Sequence, residues 1–145
     1  MKNFVLLFIV ILLTGMAGCK KNELEGNKVL PTVDIGSQYD CVIDLVNMQQ
    51  DSIYVINIKK EFEKFFTCEN NPQIDFSKKT VLIASGGTKN GISNISTELS
   101  FENSIYSLFV DITLNDAAVA QGWHIAVITN KINTSSVMLN VNTHF

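Results

Sequence analysis

Between Tyr106 and Leu114 a large apolar side chain stands at every second position: Tyr106, Leu108, Val110, Ile112 and Leu114. A period of two belongs to an extended strand, whose successive side chains point to opposite faces. Five such residues on one face need a second surface to cover them, so this strand must sit in a sheet packed on another layer. Its surroundings carry the same pattern. Ile95, Thr97, Leu99 and Phe101 share one face of a preceding strand, and Glu102-Asn103-Ser104 turns the chain between the two. Val137, Leu139 and Val141 give a closing strand. Thr80 to Ser85 is a short continuous apolar strand, and Trp123 to Thr129 is apolar on both faces, as a central strand is. Earlier in the chain Tyr39, Cys41, Ile43 and Leu45 alternate, Asn47 to Asp51 turns, and Ser52 to Asn57 is a short strand around Ile53 and Val55.

The period changes once. Phe62, Phe65 and Phe66 stand at i, i+3 and i+4, with Ile58 four positions before Phe62, which is one face of a helix. Asn57 is placed to cap it, and the three phenylalanines are expected to pack on a sheet. Cys68 to Ser77 reads as a loop. Strands joined by short loops, without alternating helices, predict a mainly β fold with one short helix: an antiparallel β-sandwich or open barrel packed by that helix.

The amino terminus is of another kind. Met1-Lys2-Asn3 is charged, Phe4 to Leu13 is an unbroken apolar run, and Thr14 to Gly18 are mostly small residues ahead of Cys19. That is the layout of a secretory signal, and Met16-Ala17-Gly18-Cys19 resembles a bacterial lipobox, with Met where Leu is usual. The resemblance implies removal of residues 1–18 and lipid on the Cys19 sulfur. An uncleaved anchor and a plain signal with an incidental Cys are the competing readings; ten apolar residues fall short of the about 20 a spanning helix needs. Each buried methylene contributes about 0.8 kcal/mol, and one acyl chain holds only marginally. The three chains of the lipoproteins this start resembles would hold the protein on its membrane. The expected organisation is a signal peptide over 1–18, a tether over 19–36 broken by Gly26, Pro31 and Gly36, and a single β-rich domain over 37–145. Its expected place is the outer membrane, on the periplasmic or the surface side.

A mature chain from Cys19 to Phe145 has 127 residues, the size of one domain. It carries 10 Lys, no Arg and 14 acidic side chains, a net charge of −4. A nucleic-acid binder needs a basic stripe, usually with Arg forks, so the charge argues against that class. With Cys19 lipidated, Cys41 and Cys68 remain. In an oxidising compartment they form a disulfide or stay as two separate buried thiols.

The run Asp75-Phe76-Ser77-Lys78-Lys79-Thr80-Val81-Leu82-Ile83-Ala84-Ser85-Gly86-Gly87-Thr88-Lys89-Asn90-Gly91, with Val55 to Phe62 before it and Val119 to Ile128 after it, resembles the PrcB C-terminal domain family. Small lipoproteins of Bacteroidales share the whole layout. The likeness covers about residues 52–142 and rests on strands and loops. Where the family often has Gly followed by an aromatic, this chain has Gly91-Ile92. It implies an accessory lipoprotein, since the named member serves a surface protease complex, and it carries over no catalytic residue.

Ser85 to Gly91 is rich in Gly, but a phosphate cradle needs G-x-x-x-x-G-K-[ST] feeding a helix, and here a strand follows. A β-connection using Gly for positive φ is the simpler reading, with a recognition loop as the alternative. Trp123, which follows Gln121-Gly122 and precedes His124, is either core or an exposed anchor for a partner. Together the two loops faintly resemble those of chagasin-like cysteine-protease inhibitors, without the literal motifs. His124 and His144 are the two histidines, no G-x-S-x-G elbow is present, and Cys41, Cys68, His124 and His144 lack zinc-site spacing. Glu61 and Glu63 beside Lys60 and Lys64 read as a solvated helix face. Asp51-Ser52-Ile53 fits a three-residue acceptor pattern for O-glycosylation in exported proteins.

The expected function is therefore a membrane-anchored, non-catalytic binding or accessory module of the cell envelope, without cofactor or metal. Its candidate partner-binding residues are Gly86, Gly87, Lys89, Asn90, Gly91, Gln121 and Trp123, and its expected partners are the membrane, through Cys19, and an envelope protein or protease. A protease-inhibitor module is the alternative, and an envelope hydrolase the remote one.

Overall fold

The computed structural model describes residues 27–44, 46, 48–70 and 72–145. Cys19, the expected signal peptide and residues 20–26 of the expected tether lie outside the described residues. In chain order the elements are β1 (Lys28–Leu30), β2 (Thr32–Asp34), α1 (Ile35–Gln38), β3 (Cys41–Ile43), β4 (Ser52–Ile56), α2 (Lys59–Phe65), β5 (Phe66–Cys68), β6 (Lys79–Thr88), β7 (Ile92–Glu102), β8 (Ile105–Leu114), β9 (Gln121–Asn130) and β10 (Met138–His144).

Two four-stranded sheets result, ordered β1-β7-β8-β10 and β2-β9-β6-β4, with a separate ribbon of β3 and β5. Leu99, Leu108, Val110 and Ile112 of the first sheet meet Leu82, Ala84, Trp123 and Val127 of the second. The opposite face of the second sheet, with Ile56, Val81, Ile83, Ala126 and Ile128, is covered by Ile35, Phe62 and Phe66. The second sheet is thus a middle layer. Its strands β6 and β9 are apolar on both faces because both faces are buried, and burying each Val, Leu or Ile contributes about 1.5–3 kcal/mol. The molecule is a mainly β, open sandwich, not a closed barrel, with the phenylalanine face of α2 on its second sheet.

Four particulars differ from the sequence reading. Residues 28–34, expected as tether, are strands: β1 pairs with β7, and β2 with β9. Pro31 marks the step between the sheets, its carbonyl accepting the Thr129 hydroxyl at 3.1 Å. β10 pairs parallel with β8, because β9 returns through the other sheet and the chain then crosses back in the direction of β8. The strand expected over 39–46 shortens to Cys41–Ile43. Finally, Asn57 does not cap α2, whose N-cap is Ile58 without a side-chain bond.

Asn57 instead joins a buried polar seam. The Thr80 side chain has no exposed surface. Its hydroxyl donates to Asn57 Oδ1 at 2.6 Å and accepts the Ile132 N–H at 2.9 Å. Lys131 Nζ donates to the carbonyls of Asn57 at 3.2 Å and Phe76 at 2.8 Å. Thr80→Val keeps the shape and strands the buried Ile132 N–H and the half-buried Asn57 Oδ1. It is expected to lower stability by about 1–3 kcal/mol, seen as a lower urea midpoint at unchanged slope.

Candidate binding site

The β7–β8 hairpin turns through Asn103 and Ser104, both left-handed at φ 50° and 66°. At the opposite end of the sandwich lie the loops singled out in the sequence. β6 runs further toward them than expected. Gly86 pairs with Trp123, Gly87 with Gly122 and Thr88 with Gln121, so Gly86 and Gly87 belong to a strand and only residues 89–91 connect β6 to β7. None of the described glycines has positive φ. The need for Gly86 is close approach: a Cβ there would stand 2.5 Å from Trp123 Cζ2 and 2.6 Å from Asp51 Oδ1. Gly86→Ala is expected to destabilise by about 1–3 kcal/mol through overpacking, measurable as a lower melting temperature.

The connecting loops are tied together. Asn115 N–H donates to the Gly91 carbonyl and Gly91 N–H to the Ala117 carbonyl, each at 2.9 Å. The Thr88 hydroxyl donates to the Asn90 carbonyl at 2.6 Å. Gln121, expected to meet a partner, accepts the Ile92 N–H on Oε1 at 2.9 Å and so holds the start of β7. Lys89 is exposed. Trp123 is not an exposed anchor: it is 5% exposed and belongs to the core between the sheets.

His124, one residue on, points the other way. It is exposed and stands beside Ser85 across the β6–β9 pairing. Two shallow cavities meet at it. One, of about 390 Å³, is lined by Met48, Gln50, Ser85, Gly122 and the edge of Trp123. The other, of about 360 Å³, lies between β9 and the wall made by Asp34, Gly36, Val42 and Ile43. The Ser85 hydroxyl donates to the Gln49 carbonyl at 3.1 Å. A serine so directed is not set up as a nucleophile by the neighbouring imidazole, which would have to accept its proton.

Strand pairing leaves one further feature here. β2 covers only Val127 to Thr129 of β9. At Ile35 the chain turns from the edge onto the outer face of the second sheet, where Ile35 is buried. Among the described residues, 121–126 of β9 therefore pair with β6 on one side and with no strand on the other.

The remaining candidates are scattered. Cys41 and Cys68 form a disulfide across β3 and β5. His144 sits on β10, in the other sheet from His124, with Nδ1 3.6 Å from Asp111 Oδ1 and Nε2 3.2 Å from the Thr113 hydroxyl. Among the described residues no three His, Cys, Asp or Glu side chains stand together to hold a metal ion. Glu63 pairs with Lys59 at 3.7 Å on the exposed face of α2. The Ser52 hydroxyl donates to the Gln49 carbonyl. Among the described residues no helix is long and apolar enough to cross a membrane.

The residues singled out in the sequence gather at this end of the molecule, where Trp123 is core and Gln121 braces the start of β7. In the sequence His124 reads as a catalytic or metal residue. The signal that it borders two cavities is slight: a polar residue in the otherwise apolar run from Trp123 to Ile128. No family model matches the chain, and no curated protein or solved structure matches it.

Proposed function

We propose that the protein is a lipid-tethered, non-catalytic binding module of the outer membrane, on its periplasmic or surface side, that engages another envelope protein through the loop end of its sandwich. The observation that carries this reading is the polarity of the chain. β1 begins with Lys28 opposite Phe101, at the hairpin end. The loops of residues 89–91 and 115–120 lie at the far end of the eleven-residue strand β7, some 30 Å away at about 3.3 Å per residue. Residues 20–27 reach at most about 28 Å from a lipid on Cys19. A graft there favours an orientation with the hairpin end toward the bilayer and with His124, its two cavities and Lys89 away from it. The likeness of residues 75–91 and 119–128 to the PrcB C-terminal domain family favours an accessory role of this kind.

Photocrosslinking in the native envelope tests the reading. A benzophenone side chain at position 89 is expected to capture protein, and one at position 105, in the hairpin, to label lipid. Capture from position 105 alone, or from neither, refutes it, as does a mature chain without acyl groups on Cys19. The inhibitor alternative is examined by titrating papain-like proteases; inhibition at micromolar concentration would favour it.

A further inference from the structure

We propose that the uncovered half of β9, residues 121–126, receives an extended segment of the partner protein as an added strand, in line with β2 and antiparallel to β9. The proposal rests on the binding role above and gives it a ligand: a peptide with apolar residues at alternate positions.

Along an antiparallel strand, alternate residues direct their N–H and C=O groups to either side. On the β6 side those of Gln121 to Ala126 have a partner strand; on the other side no described strand pairs with them, and the chain after β2 stands across a cavity from Ile125 and Ala126. Natural sheets usually blunt such an edge with Lys, Pro or a bulge. Gln121-Gly122-Trp123-His124-Ile125-Ala126 has neither Lys nor Pro. Its register with β6 is unbroken from Asn130 to Gln121. The uncovered stretch of β7 on the same side of the sandwich differs. Its pairing shifts between Ile92 and Asn94, and it presents Ser93, Asn94, Ser96 and Glu98 to solvent.

The occupant follows from what the edge can pair with. A row of main-chain donors and acceptors at strand spacing is matched by another extended backbone, and main-chain bonds with alternating side-chain pockets are the usual terms of strand addition. β2 already follows this line against residues 127–129, so the geometry accepts a strand there. One face of an added strand would meet the seam between the sheets beside the half-buried Ile125. The other face would lie over the cavity walled by Val42, Ile43 and His124. The first calls for apolar side chains at every second position of the peptide; the second tolerates mixed ones.

The test uses the full-length lipidated protein in detergent micelles. The probe is a pool of synthetic decapeptides with Val, Ile or Thr at alternate positions and randomised residues between. After enrichment, amide hydrogen exchange is read with and without peptide. The expected result is exchange slowed about tenfold or more at alternate amides within 121–126, with residues 138–144 of the open edge strand β10 unchanged. No enriched peptide, or protection at 138–144 or 115–120 in place of 121–126, overturns the proposal. Captured protein at position 89 without protection on β9 would sink this inference and leave the binding role standing. Failure of both experiments would remove both.

Discussion

Trp123→Ala is expected to lower folding stability by about 3–5 kcal/mol, the range for deleting a buried aromatic side chain. The indole is the largest side chain in the core between the sheets, and it lies against a residue that has none. Gly86, its partner on β6, leaves the space that the ring fills. Removing the ring therefore opens a void that no neighbour on β6 can occupy. Urea unfolding followed by circular dichroism gives the loss, since the chain has a single tryptophan and the variant has no indole signal. A double-mutant cycle makes the argument sharper. Gly86→Ala alone meets Trp123 Cζ2 at 2.5 Å, whereas in the Trp123→Ala background only the far end of Asp51 opposes the new methyl. The two substitutions should be strongly non-additive, with coupling of about 1–3 kcal/mol. Additive losses would mean that the indole and Gly86 do not share one space.

What the sequence disclosed depended on how local the cause was. The stripe from Tyr106 to Leu114 marks β8 because its period is the geometry of the strand itself. The apolar run Thr80 to Ala84 announces a strand buried on both faces, though not which layers bury it. Phe62 is legible as a helix face for the same local reason. Asn57 misleads because its neighbourhood suits an N-cap, while Thr80 and Lys131, 23 and 74 residues along, draw it into the buried seam. The tether misleads because three-residue strands such as β1 and β2 have no period to detect. They exist only because β7 and β9 offer edges. The candidate site shows the same division. A loop end rich in Gly was visible; that Gly86 serves the Trp123 ring, and that Gln121 holds Ile92, needs the pairing of β6 with β9. The uncovered half of β9 has no sequence signal at all, since it is created by where β2 departs.

Changing both Cys41 and Cys68 to serine is expected to lower stability by about 3–4 kcal/mol, from the entropy that a cross-link spanning 27 residues removes from the unfolded chain. The loss should be uneven. β3 and β5 are three residues each and, among the described residues, pair only with one another, and a two-stranded ribbon is marginal by itself. Two flanking main-chain bonds, Asp44 N–H to the Phe65 carbonyl at 2.7 Å and Glu69 N–H to the Asp40 carbonyl at 3.0 Å, extend it. Its hold on the second sheet comes from Ile43 and Phe66. Without the cross-link, exchange at amides 41–43 and 66–68 should accelerate well before that of β6 and β9, which are anchored from both faces. Uniform acceleration across all strands would show that the ribbon unfolds only with the whole domain. Because Cys41 to Ile43 also wall the cavity beside His124, the same variant should loosen whatever binds along β9 while the β6–β9 pairing that forms its floor persists. Reducing conditions are therefore expected to weaken partner binding at denaturant concentrations too low to unfold the sandwich.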